Sequence, residues 1–344
     1  MAEGHRIVRE VAAAVGLAEG EAGVRSVLAA LARLEPVSIR RISRAAELPV
    51  PIVASVCGEL RKRAVVAEQR PAQLTSKGRA LFSAGGLRLQ RGAACPTCRG
   101  RGTALGSEAA SLIAEIDGLA KRAPPVRLEL DQCHCTVETK LRRVLAIHEA
   151  DALAGRRVLF LGDDDLTSLA VDRMARRFGS GSTVAHLGMV DIDPAIVGFV
   201  RRELAGARFP VSAVVHDLRR PLPRRFRRAF DTVVTDPPYT IAAARLFLSR
   251  AADALDRRDG DVFLSFGSKR PEASFRLQQV ITEMGFAIRR LTRDFNEYVG
   301  AGVLGGTSHL YHLAATRKRR PAVTGAFGAP LYTADVKDRG PTVA

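Results

Sequence analysis

Apolar positions recur along this chain with two different periods, and the change between them divides it. Up to about Leu89 the spacing is helical. Val27, Leu28, Leu31 and Leu34 share one stripe, Ile39, Ile42 and Ala46 another, and Ile52, Val53, Val56 and Leu60 a third after a turn at Leu48-Pro49. This predicts a helix-turn-helix. The following Val65-Val66-Ala67, the polar Glu68-Gln69-Arg70-Pro71 and LTSKGRALF read as a short wing and a closing helix. From about Thr136 short β-branched runs alternate with helical stretches. Strands are expected at Arg157–Leu161, Thr183–Ile192, Ser212–His216, Phe230–Thr235, Val262–Phe266, Ala287–Leu291 and His309–Ala314, with helices at Thr139–Leu153 and Leu166–Phe178. The pattern is that of a doubly wound α/β domain. The predicted organisation is a winged-helix domain over 1–90, a cysteine-containing segment over 91–135, an α/β domain over 136–320, and a Gly-, Pro- and Ala-rich tail over 321–344 that is expected to be mobile.

Composition narrows the function classes. The 344 residues are 47% hydrophobic and 26% charged, enough for a packed core, and no run approaches the roughly 20 apolar residues of a membrane helix. The opening MAEGHRIVRE lacks the apolar stretch of a secretory signal, so a cytoplasmic protein without membrane contact is expected. The net charge of +17 would suit a polyanion, but dense basic runs occur only at PRRFRR and RKRR. The winged helix therefore has two readings: duplex binding through Arg61, Lys62 and Arg63, or packing on a neighbour or a second subunit. Since winged helices commonly pair, a homodimer is expected.

Four of the five cysteines fall in close pairs, Cys95 and Cys98 in CPTC, and Cys133 and Cys135 in CHC. Four thiolates would close a tetrahedral shell around a structural zinc, with His134 to spare. Reduced free thiols are the other reading.

The chemistry gathers where strands end. Gly162 is followed by three consecutive carboxylates, Asp163, Asp164 and Asp165, at the turn from the first strand into its helix, where nucleotide-binding folds usually place glycines. Like charges so close raise one another's ionisation cost, which a polycationic ligand would relieve. Asp191 and Asp193 end the second strand, Asp217 follows the third, and Asp236-Pro237-Pro238-Tyr239 follows the fourth. Ligands of such sheets bind outside the carboxyl ends of the strands, so these turns converge on one crevice.

The order of elements resembles a Rossmann-like class I S-adenosylmethionine-dependent transferase domain. In that class the acid ending the second strand holds the ribose hydroxyls, which matches Asp191, with Asp193 either an alternative or a helix cap; Asp217 sits where the adenine amino group is received. The DPPYT loop resembles that of nucleic-acid amino-methyltransferases, and methylation of DNA or RNA is the alternative reading. Against it, S-adenosylmethionine carries a carboxylate near the first turn, and like charges at about 4 Å repel by roughly 4 kcal/mol at an effective dielectric of 20. Decarboxylated S-adenosylmethionine presents an ammonium there instead.

GDDDLTS, VDIDP, HDLRRPLP, TDPPYT, LTRDFNEYVG and SHLYHL together resemble the branched-chain polyamine synthases, the N(4)-bis(aminopropyl)spermidine synthase family, over nearly the whole chain. The resemblance implies an enzyme that moves aminopropyl groups from decarboxylated S-adenosylmethionine to the secondary amine of spermidine. It implies Asp164 as the base, Asp163 and Asp165 binding a flanking ammonium or holding the loop, and Asp236 and Tyr239 orienting the reacting amine. Glu297 and Tyr298, with Asp294, are candidates for the far ammonium of the acceptor, and Tyr332 and Asp335 for closing over it.

Overall fold

The computed structural model describes residues 2–82, 95, 97–98, 100–179, 183–256, 259–267, 270–300 and 306–333. They form two compact units, one of residues 1–94, 268–270 and 300–307, the other of 95–267, 271–299 and 308–344.

The first unit is helical: α1 (Ala2–Val15), α2 (Gly20–Leu34), α3 (Ile39–Ala46), α4 (Val50–Lys62) and α5 (Ser76–Phe82). Ser38 caps α3 by accepting the Arg41 N–H, and Glu47 stops it in the left-handed region at φ 55°. Val24, Val27, Leu31, Ile42, Val53, Val56 and Leu60 are buried in one core, and Cys57 lies among them. Single bridges join Val37 to Ala72 and Val66 to Leu74. Arg61 donates to the Ala67 carbonyl, Lys62 pairs with Glu59, and Arg63 pairs with Glu59 and Glu10. The three basic residues expected to face phosphates are thus engaged within the unit.

The second unit begins with α6 (Ala109–Lys121) and α7 (Val137–Glu149) and continues as β1 (Arg157–Leu161), α8 (Thr167–Phe178), β2 (His186–Asp191), α9 (Pro194–Glu203), β3 (Val211–Val215), β4 (Thr232–Thr235), α10 (Ile241–Ala254), β5 (Asp261–Phe266), α11 (Pro271–Glu283), β6 (Phe286–Glu297) and β7 (Thr307–Ala315). The sheet order is β3-β2-β1-β4-β5-β7-β6, parallel from β3 to β5, with β7 antiparallel to β5. This is a Rossmann-like arrangement. Alternation along β1 builds two cores: Val158 and Phe160 pack with α6 to α9, and Leu159 and Leu161 with α10 and α11. Each fully buried side chain of this kind contributes roughly 1.5–3 kcal/mol.

Register places the site. Leu161 lies level with Val190 and with Thr235, and Asp191 with Val215. The loops after β1, β2, β3 and β4 therefore leave the sheet together, and the order reverses between β1 and β4, where a crevice opens.

The stretch 321–333, expected to be mobile, packs down. Arg250, buried in α10, donates to the Val323 and Gly325 carbonyls, Phe327 N–H donates to Arg219, and Leu331 is buried. Asp335 lies outside the described residues.

Candidate active site

Gly162 turns the chain out of β1 at φ +72°, a conformation glycine adopts without cost. The three carboxylates that follow then part. Asp163 is buried and accepts hydrogen bonds from the Thr167 and Ser168 N–H groups and the Ser168 hydroxyl, so it caps α8. Asp165 is also buried, accepting from Arg143 Nη1 at 2.6 Å and from the Cys135 N–H. Asp164, half-buried between them, faces the crevice, and its Oδ2 accepts the Cys133 N–H at 3.1 Å. Leu166 closes the turn in the left-handed region at φ 56°, a strain of about 1–2 kcal/mol held by its burial. Neither Asp163 nor Asp165 lines the crevice, because a helix terminus and a buried guanidinium occupy them; of the two roles expected of the pair, their bonds are those of residues holding the loop rather than meeting an ammonium.

The crevice spans about 520 Å³ with its open mouth and is lined by Asp164, Asp191, Asp217 and Asp236, with Gln132, Pro238, Phe247 and Tyr332 among the remaining walls. Asp191 accepts the Asp163 N–H at 2.9 Å and the Asp193 N–H at 2.8 Å, which fixes its carboxylate across the mouth of β1 and β2. Asp193 instead caps α9 through the Ala195 N–H at 2.8 Å and accepts from Gln132 Nε2 at 3.2 Å. Of the two, Asp191 is the one at the crevice. Asp217 accepts from the Arg219 N–H and guanidinium.

Pro237 and Pro238 stiffen the loop after β4, and Thr240 caps α10 through the Ala243 N–H. Asp236 Oδ2 accepts from the Tyr298 hydroxyl at 2.6 Å and from Arg143 Nη2 at 2.7 Å. Tyr239 donates its hydroxyl to that of Tyr298 at 2.8 Å, and its ring sits 5.3 Å from that of Phe266. Tyr298 is brought there because residues 134–136 pair with the end of β6: Val299 N–H donates to His134, and Thr136 N–H to Glu297. Glu297 points elsewhere, into an ion pair with Arg101 at 2.8 Å, and the Asp294 carbonyl accepts from the same guanidinium. Glu297, expected to meet the acceptor, is thus engaged by Arg101 in this structure.

Charge count explains the titration of the cluster. One fully buried guanidinium lies among several carboxylates. Burial would raise Asp165, but Arg143 and Lys140 outweigh it and hold that carboxyl at about 2. Burial raises Asp236 to about 7 despite Arg143. Asp164, with no cation on its carboxylate among the described residues, is pushed well above the ordinary range by burial and by Asp165, Asp191 and Asp236. Burial likewise takes Asp163 to about 7 and raises Asp191. Both phenols, Tyr239 and Tyr298, are raised by burial and stay protonated donors.

The zinc expectation finds no support among the described residues. Cys133 Sγ donates to the Val299 carbonyl at 3.5 Å, and the buried Cys135 thiol lies 3.7 Å from Lys140 Nζ. Burial and the neighbouring aspartates push the Cys133 thiol to about 11 and the Cys135 thiol upward too, whereas backbone hydrogen bonds at Cys98 and Thr97 lower that of Cys95. Cys95 is exposed and Cys98 half-buried, and among the described residues no three His, Cys, Asp or Glu side chains come together to hold a metal ion.

Fold and site thus define a Rossmann-like transferase whose crevice is lined with carboxylates. Residues 111–326 match the family model described as the branched-chain polyamine synthase A C-terminal domain. The chain is 34% identical over 312 residues to an uncharacterized protein of Methanocaldococcus jannaschii, spanning 89% of this chain and 77% of that one. It is 31% identical to the N(4)-bis(aminopropyl)spermidine synthase of Thermococcus kodakarensis, over 78% and 75% of the two chains. The crystal structure of the branched-chain polyamine synthase from Thermus thermophilus, in complex with N4-aminopropylspermidine and 5′-methylthioadenosine, matches with a TM-score of 0.73 at 25% identity over 96% of this chain and 98% of that one. This chain belongs to the branched-chain polyamine synthase family.

Proposed function

We propose that this protein is an aminopropyltransferase that moves aminopropyl groups from decarboxylated S-adenosylmethionine to the secondary amine of spermidine, giving branched polyamines. The observation that carries the reading is the four-aspartate lining of the crevice in a chain of net charge +17. Such a lining favours ammonium groups, which draw its suppressed carboxyls into their ionised form, over phosphates or a methionine carboxylate, which suppress that ionisation further.

Donor binding falls to Gly162, Asp191 and Asp217, with Asp191 accepting from the ribose hydroxyls. The sulfonium makes its adjacent methylene electrophilic, and the neutral secondary amine attacks it in line from about 3–3.5 Å. The new C–N bond forms as the C–S bond breaks, its electron pair going to sulfur to leave 5′-methylthioadenosine. At the first addition the alkylated nitrogen loses its proton to Asp164. Asp236 and the paired hydroxyls of Tyr239 and Tyr298 orient the acceptor, while Asp163 and Asp165 hold the turn.

The helical unit serves this enzyme as a winged helix. Its helix-turn-helix and two bridges support that reading, and the internal ion pairs of Lys62 and Arg63 favour a packing role, as in a homodimer, over duplex binding. No described helix is long and apolar enough to cross a membrane, and we assign the protein to the cytoplasm.

Incubation with decarboxylated S-adenosylmethionine and spermidine, read by mass spectrometry, tests the function. Added aminopropyl units on spermidine are expected. Unchanged spermidine would refute it.

A further inference from the structure

Arg143 does not line the crevice, yet it touches most of what shapes it. Its side chain is 4% exposed, and the guanidinium donates to groups on three separate segments. Nη1 donates to Asp165 in the β1–α8 turn at 2.6 Å. Nη2 donates to Asp236 in the β4–α10 loop at 2.7 Å and to the Tyr298 hydroxyl beyond β6 at 3.1 Å. Nε donates to Asn296 Oδ1 at 2.8 Å, and Asn296 in turn donates to the Ser308 hydroxyl at 2.8 Å, which lies 2.9 Å from that of Tyr298. Asp165, held this way, accepts the Cys135 N–H, two residues from the Cys133 N–H that fixes Asp164.

We propose that Arg143 is the positioning residue of the aminopropyl-transfer site: its planar fork locks the β1–α8 turn, the DPPY loop and Tyr298 into one geometry and leaves Asp164, which has no cationic partner among the described residues, as the proton acceptor. The inference rests on the functional reading above. A fork is required because three nitrogens of one side chain donate to acceptors on three segments, and a lysine ammonium is a point charge that spans at most part of them. The donor-binding acids Asp191 and Asp217 make no contact with the guanidinium among the described bonds, so Arg143 acts on turnover rather than on nucleoside binding.

Arg143→Lys keeps the charge and removes the fork. With decarboxylated S-adenosylmethionine and spermidine, kcat is expected to fall about 100-fold, the scale of an ångström-level misplacement, while the Kd for 5′-methylthioadenosine by calorimetry stays within about twofold. A kcat within about threefold of wild type, or a Kd that weakens in step with kcat, would overturn the inference. If Arg143→Lys does not fold, the double variant Arg143→Met with Asp165→Asn removes the cation together with one of its two carboxylate partners, leaves Asp236 the hydroxyl of Tyr298, and is judged by the same two readouts. Absence of transfer by the wild-type protein would overturn the functional reading and this inference together, whereas an active Arg143→Lys overturns this inference alone.

Discussion

The Asp164 carboxylate is tied to Cys133 by a hydrogen bond of 3.1 Å, and the Asp164 carbonyl accepts from Nδ1 of the adjacent His134 at 2.7 Å. The residue that faces the crevice is thus held from its side chain and its backbone by one strand-like segment. Replacement of Asp164 by Asn keeps an acceptor for the Cys133 N–H and removes the base. Turnover should fall about 10²- to 10⁴-fold. The thermal midpoint should be unchanged or higher at pH 8, since a carboxylate whose ionisation is suppressed by burial weakens the fold when charged. Wild-type turnover in this variant would remove Asp164 from its role.

Proton linkage gives a second expectation. Asp163 sits at about 7, above the ordinary value near 4 of an unfolded chain, so the folded protein holds the extra proton between those limits. Its contribution to stability is fully present below about pH 4 and is lost as pH rises through about 7. The midpoint of Asp163→Asn relative to wild type should therefore rise from pH 5 to pH 8 in a thermal melt series. A difference that falls with pH would contradict the assignment.

Entry of ammonium groups should reverse the suppression of Asp164 and Asp236. Both are raised by burial among like charges, and a polycation beside them favours their ionised forms. Spermidine binding near neutral pH should release protons, visible as a calorimetric heat that changes with the ionisation enthalpy of the buffer. Heats identical in phosphate and Tris would count against an acid-lined acceptor site.

Asp191 and Asp193 differ by two positions and should differ in kind. Asp191→Ala removes a carboxylate at the crevice and should weaken 5′-methylthioadenosine binding by about 1.5–3 kcal/mol, the range for hydrogen bonds to a charged group. Asp193→Ala removes a helix cap and should cost about 1 kcal/mol of stability with a smaller change in affinity. Equal losses of affinity, measured by calorimetry, would dissolve the distinction.

Much of the sheet was legible because buried parallel strands are short, apolar and β-branched; Arg157–Leu161 is read with the bounds the structure has. The converging acids were legible for a related reason, since Asp164, Asp191, Asp217 and Asp236 each follow such a run. The division among Asp163, Asp164 and Asp165 was not. It depends on the left-handed turn at Leu166 and on Arg143, which lies on α7 22 residues before Asp165 and 93 before Asp236. Periodicity marks Leu141, Val144 and Ile147 as the apolar face of α7 but gives no sign that Thr139, Lys140 and Arg143 are buried as well. The stripe Leu112, Ile116 and Leu119 of α6 has helical spacing, but it falls inside the segment 91–135 that the cysteine pairs mark as a metal site.

The most direct test of a crevice selective for cations is a competition in one vessel: S-adenosylmethionine and decarboxylated S-adenosylmethionine at equal concentration, with spermidine and duplex DNA as acceptors, and mass spectrometry of both acceptors. Aminopropyl groups on spermidine and none of the methyl groups on either acceptor is the predicted result. Methyl transfer to the DNA, with spermidine untouched, would contradict it.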